Sequence, residues 1–65
     1  MKDSYVIIVN KLRQDRNLIN KIVGELAEKE ILSDFEESRY HKYLGKREYC
    51  DDLIEFFEDI LKYLD

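Results

Sequence analysis

Basic and aromatic side chains occur together, without an acid, in one short stretch of the chain. Positions 39–47 read RYHKYLGKR, and the residues with binding potential are Arg39, Lys42, Lys46, Arg47, Tyr40 and Tyr43. Lysine and arginine neutralise phosphates and tyrosine rings stack on exposed bases, so this chemistry suits nucleic acid. Alternatively, the basic residues complement a helix C-terminus and the tyrosines pack in the core. The net charge of −4 favours the second interpretation, because an acidic protein repels polyanions.

Acidic side chains dominate the polar positions that follow. They are Glu48, Asp51, Asp52, Glu55, Glu58 and Asp59. On a helix they form an anionic face that could occupy a basic cleft on another protein. The alternative is a solvated face that keeps a small protein in solution. Like charges four residues apart cost about 0.2–0.5 kcal/mol per pair, which gives the binding interpretation some weight.

Side chains with catalytic or metal-binding potential are few. Glu37 and His41 are four residues apart, so both could face one ion, but the chain has no second histidine. The single cysteine, Cys50, falls among apolar positions, where a thiol is usually inert. No serine lies in a Gly-x-Ser-x-Gly context, and no glycine-rich phosphate loop exists. We therefore expect no enzymatic activity, no metal and no cofactor.

The elements that position these residues are predicted to be helices. The sequence has no proline and two glycines, which leaves few turn signals for a sheet. We predict an all-α fold, a small helical bundle or helical hairpin of two to three helices over about 4–29, 34–44 and 46–64. The 65 residues form one domain, 1–65. Gly45 either separates the last two helices or lies inside one long helix.

The start of the middle helix has a local signal. Ser33 and Glu36 are spaced as a capping box, in which each side chain accepts a hydrogen bond from the other residue's backbone N–H. Acidic residues in the first turn complement the positive end of the helix dipole. The sequence thus predicts a helix that begins at about position 34.

The first half of the chain allows two interpretations. Residues 5–9 are rich in β-branched side chains and resemble a strand, which would need a partner from another subunit. A helical pattern also continues from Tyr5 to Ala27, with Val6, Ile7 and Leu18 off its main apolar face. We interpret these three residues, together with Tyr40 and Tyr43, as apolar anchors for a partner protein.

The last helix carries more apolar surface than one neighbour covers. Its apolar residues occupy about half of the helical wheel, whereas a surface helix needs a stripe of about 100°. The predicted core is Tyr5, Ile8, Leu12, Ile19, Val23, Leu26, Phe35, Leu53, Phe56, Phe57, Ile60, Leu61 and Leu64. One cysteine excludes an intrachain disulfide, so we expect a homodimer or larger helical assembly to complete this core.

The function expected from these patterns is binding rather than catalysis. Residues 1–32 carry a net charge of +1 and residues 33–65 carry −5, so the charge is patterned. We expect a small non-enzymatic regulator or inhibitor that binds another protein, of a kind frequent among bacterial and phage proteins. The alternatives are a nucleic-acid-binding regulator that uses residues 39–47, and a structural subunit that assembles only with itself. The longest apolar run, 5–9, is too short to span a membrane, so we expect a cytoplasmic protein.

Overall fold

Two long helices make up almost all of the molecule. The computed structural model describes residues 2–64, with helix α1 at Lys2–Ala27 and helix α2 at Asp34–Leu64. Residues 28–33 form the turn between them, and no residue of the described range lies in a strand. The helices pack against each other as an antiparallel hairpin, a rod of 48 × 14 × 14 Å. The predicted all-α fold is confirmed in its hairpin form.

Both open questions about the helices are resolved. Residues 5–9 lie within α1, so the strand interpretation is wrong, because the apolar face of α1 is covered by α2 along the same chain. Residues 34–44 and 46–64 belong to one helix, and the three-helix alternative is wrong. Gly45 keeps a negative φ within α2. The cost of about 1 kcal/mol for a helical glycine is small beside the packing of a long amphipathic helix.

The turn is fixed by the predicted capping box. The backbone N–H of Glu36 donates to Ser33 Oγ at 3.1 Å, and the backbone N–H of Ser33 donates to Glu36 Oε1 at 3.2 Å. At the end of α1, the N–H of Glu28 donates to the carbonyl of Gly24 at 3.1 Å. These bonds satisfy backbone groups that a helix end would otherwise leave unpaired.

The helices meet along two stripes whose residues are spaced alternately by three and four. The α1 seam consists of Tyr5, Val9, Leu12, Arg16, Ile19, Val23 and Leu26. The α2 inner seam consists of Glu36, Tyr40, Tyr43, Arg47, Cys50, Ile54, Phe57 and Leu61. All of these residues are buried or half-buried, as the facing positions of a coiled coil are. The seams thus mark which face each helix turns toward the other.

The predicted core is only partly right. Ile19, Val23 and Leu26 are buried as expected. Four predicted core residues are exposed instead, namely Ile8, Phe35, Phe56 and Leu64. Three buried residues are absent from the prediction, namely Val9, Cys50 and Ile54. The reason is geometric: one neighbouring helix covers a single narrow stripe, so a half-cylinder of apolar residues cannot all be buried.

Candidate functional site

The two edges of the hairpin have opposite chemistry. Three polar contacts join the helices along one edge, which we call the polar edge. Arg13 Nη2 lies 2.6 Å from Glu58 Oε1, and Arg16 Nη1 lies 3.2 Å from Asp51 Oδ1. Arg47 Nη1 donates to Asn20 Oδ1 at 3.4 Å. The two ion pairs of the polar edge are partly exposed to solvent, so each stabilises the fold by at most about 1 kcal/mol.

Arg16 interrupts the α1 seam with a charge. Its Nε atom is buried and has no hydrogen-bond partner among the described residues, while Nη1 reaches out to Asp51. The aliphatic part of the side chain packs at a seam position and the guanidinium extends to the polar edge. An unsatisfied buried donor costs about 1–3 kcal/mol, so this position is a weak point of the core.

The six predicted acidic residues separate into two groups. Asp51 and Glu58 belong to the polar edge and hold α1. The other four lie on an exposed strip at spacings of four, three and four, which we call the acidic strip: Glu48, Asp52, Glu55 and Asp59. Asp59 pairs with Lys62 at 3.5 Å, within the helix. The other three make no ion pair with any residue in the range 2–64.

A second apolar stripe runs along the C-terminal half of α2 beside the inner seam. This outer stripe consists of Tyr49, Leu53, Phe56, Ile60 and Tyr63, again spaced alternately by four and three. Tyr49, Phe56 and Tyr63 are exposed, and Leu53 and Ile60 are half-buried. The ring of Phe56 makes an edge-to-face contact with the neighbouring Phe57, at 5.4 Å between ring centroids. The sequence predicts an apolar surplus on this helix, but it counts Leu53, Phe56 and Ile60 with the core and does not separate them from the inner seam.

The outer stripe continues onto α1 across an open groove. Leu18 and Tyr49 line the same groove, with Ile19 and Cys50 at its floor and Lys46 at its rim. A neighbouring groove lies between Ile22 and Phe35 nearer the turn. Leu18, Tyr49 and Phe35 are all exposed. We call this side, opposite to the polar edge, the apolar edge.

The predicted basic stretch is divided by the fold. Arg39 and Lys46 lie over the ring of Tyr43, at 5.4 and 4.9 Å from its centroid. Lys42 is exposed on the same side, whereas Arg47 turns to the polar edge and binds Asn20. The three residues Arg39, Lys42 and Lys46, which we call the basic cluster, thus remain together without Arg47.

The predicted apolar anchors occupy different surroundings. Ile7 and Leu18 are well exposed, and Val6 is less exposed than either. Tyr40 and Tyr43 are half-buried and pack against the cluster of Ile19, Val23 and Cys50. Leu18 lies on the apolar edge, while Val6 lines a groove at the polar edge with Arg13 and Glu58. The structure therefore does not bring the five anchors together on one surface.

The residues considered for metal or redox chemistry are dispersed. His41 Nε2 lies 3.9 Å from Glu37 Oε1, and both side chains are exposed. Within residues 2–64 no group of three or more His, Cys, Asp or Glu side chains is arranged to hold a metal ion. Cys50 is a free, buried thiol in the α2 inner seam, where it packs beside Ile19 and Val23.

The carboxyl group of Glu36, at the turn, has a lowered pKa. Lys29 Nζ binds Glu36 Oε2, and the backbone N–H of Ser33 donates to the other carboxylate oxygen. The bond from Lys29 is the main reason that the pKa of Glu36 is lowered from its usual value of 4.5, with the Ser33 N–H second. The turn is therefore held partly by a charge.

Comparison with known proteins gives no relative from which a function can be transferred. No family model, curated protein or solved structure matches this chain. Neither described helix contains a stretch long and apolar enough to cross a membrane.

Proposed function

We propose that the protein is a non-enzymatic regulator or inhibitor that binds another protein through its helical surfaces. The observation that carries the proposal is the acidic strip, in which Glu48, Asp52 and Glu55 are exposed and make no ion pair with a described residue. The partner surface would be basic. Complementary charge raises the rate of association and excludes partners of the wrong sign.

The energetics of the strip support this proposal. Glu48 and Asp52 are four residues apart, as are Glu55 and Asp59, so like charges repel within α2 at about 0.2–0.5 kcal/mol per pair. A basic partner relieves this repulsion. Asp51 and Glu58 are engaged by α1 and contribute less to such a surface. Apolar contact would come from exposed residues such as Ile7.

Affinity capture with matched variants tests the proposal. Immobilised wild-type protein is compared with the double variant Glu48→Gln/Glu55→Gln and with the control Glu25→Gln/Glu28→Gln, which removes two acids near the turn. Captured proteins are identified by mass spectrometry over a salt gradient. We expect a basic partner that the wild type and the control retain and the acidic-strip variant releases at lower salt. Equal retention by all three proteins would contradict the proposal.

A nucleic-acid-binding regulator is the second candidate. Arg39 and Lys42 line an open groove with Phe35, so two cations and an aromatic ring lie together. A gel-shift assay at low salt with mixed DNA and RNA distinguishes this candidate, because phosphate binding weakens steeply as salt rises. A shift that Lys42→Glu abolishes supports it. Capture of no other macromolecule would instead indicate a structural subunit that assembles with itself.

A further inference from the structure

The apolar edge presents a stripe that the hairpin leaves uncovered. In the outer stripe, Tyr49, Phe56 and Tyr63 are 65%, 59% and 91% exposed. The whole outer stripe, with Leu53 and Ile60, alternates spacings of four and three residues, as does the α2 inner seam, which packs against α1. A stripe with a repeat of three and four residues is the pattern by which one helix packs against another along its length. The occupant of this stripe is therefore expected to be a helix.

The exposed area matches what a stable dimer buries. A fully buried aromatic side chain covers about 150–250 Å². Phe35, Tyr49, Phe56 and Tyr63 are between 59% and 91% exposed, so together they offer roughly 600 Å². Leu18 and the half-buried residues of the outer stripe bring the edge toward about 800 Å² per partner, the usual size of a stable interface.

Charge along the same face makes the surface complementary to itself. Continued toward the N-terminus at the same spacing, the outer stripe runs through the basic cluster of Arg39, Lys42 and Lys46 to Phe35. Its apolar half is flanked by Asp52 and Asp59 of the acidic strip. Two parallel copies would set the lysines against their own counterparts. Two antiparallel copies would set them beside the acids of the other chain.

We propose that a second copy of this chain covers the apolar edge, with the two α2 helices antiparallel. The two-fold axis lies near Tyr49, the middle of α2. Such an interface is self-complementary, because the same surface serves both subunits. Leu18 and Tyr49 lie at its centre, and the stems of Lys42 and Lys46 pack over the partner's aromatic residues while their ammonium groups reach its acids. The result is a four-helix assembly.

Sedimentation equilibrium on the purified chain tests the proposal without reference to any other partner. We expect the wild type to reach twice its monomer mass of 7.9 kDa at micromolar concentration. Phe56→Asp should give a monomer that is still helical by circular dichroism. The control Val6→Asp places the same charge on an exposed residue that lines the groove at the polar edge, and it should remain dimeric. A monomeric wild type, or dissociation by Val6→Asp and not by Phe56→Asp, would overturn the proposal.

A charge exchange tests the antiparallel direction. Lys46→Glu and Asp52→Lys should each weaken the dimer roughly tenfold, because each change introduces two like-charge contacts across the symmetric interface. Combined in one chain, they should restore the wild-type dissociation constant. Single variants that dissociate without recovery in the double variant would exclude the antiparallel pairing. Circular dichroism on each variant confirms that the hairpin is folded.

Discussion

The α2 inner seam and the outer stripe lie side by side on one helix, but α1 covers the inner seam and leaves most of the outer stripe exposed. Cys50 and Ile54 are buried in the inner seam, while Tyr49 and Phe56 of the outer stripe are exposed. Both stripes have the same alternating spacing and similar apolar content. The difference arises because the chain contains one other helix, which covers one stripe. Spacing thus predicts that a stripe will be packed, but not which chain packs it.

Truncation in the two stripes gives the largest expected contrast. Ile54→Ala should lower the free energy of unfolding by about 2–4 kcal/mol, because it leaves a cavity between the helices. Phe56→Ala should cost less than about 1 kcal/mol in dilute solution, where the outer stripe is in water. Urea unfolding followed by circular dichroism at several protein concentrations measures both. Equal losses at low concentration would mean that the outer stripe is already packed within one chain.

Replacement of the charged seam residue should strengthen the inner packing. Arg16→Leu removes a buried donor without a described partner and completes the α1 seam, so we expect a gain of about 1 kcal/mol. The control Arg13→Leu removes an arginine from the polar edge, outside the seam, and should give no gain. Thermal unfolding compares them. A loss of stability with Arg16→Leu would show that the ion pair with Asp51 outweighs apolar packing.

Gly45 lies in α2 but in neither the inner seam nor the outer stripe, and its replacement by alanine should stabilise the fold. A Cβ atom at Gly45 meets nothing within 4 Å, and the residue is helical. Gly45→Ala should therefore raise the free energy of unfolding by about 0.5–1 kcal/mol, since alanine is the better helix former. Gly24→Ala in α1 is the matched change, because its site is equally open. Destabilisation by the α2 variant alone would indicate a break in the helix between the two stripes.

The pH dependence of the turn is the smallest expected effect. The lowered pKa of Glu36 means that its charged form favours the folded state, so this contribution is present above pH 4.5. It is lost as the pH falls through 4.5 toward the lower pKa of the folded state. Glu36→Gln should therefore unfold at lower urea concentration than the wild type at pH 7, and the difference should narrow as the pH falls below 4.5. Glu25→Gln, outside the turn contacts, serves as the control.

Some features follow from local sequence and were predicted correctly. The Ser33–Glu36 capping box depends on residues three apart, and it forms as expected. The absence of proline leaves nothing to interrupt either helix, so the all-α fold also follows from the chain itself. The excess of apolar residues on α2 was evident too, because a helical wheel needs no partner to be drawn.

Other features depend on the neighbouring helix and required the tertiary structure. The sequence placed Asp51 and Glu58 on one acidic face with Glu55, but α1 supplies arginines that engage only the first two. The sequence pattern places Arg47 in one basic stretch with Lys46, yet in the structure Arg47 donates a hydrogen bond to Asn20 of α1 at the polar edge. Sequence by itself therefore determined the helical fold class, the capping box at the start of α2 and the apolar surplus, because these depend on residues a few positions apart, whereas the continuity of α2 through Gly45 required the structure. Only tertiary packing decided which stripe was buried and which charges stayed free, because that depends on side chains distant in sequence.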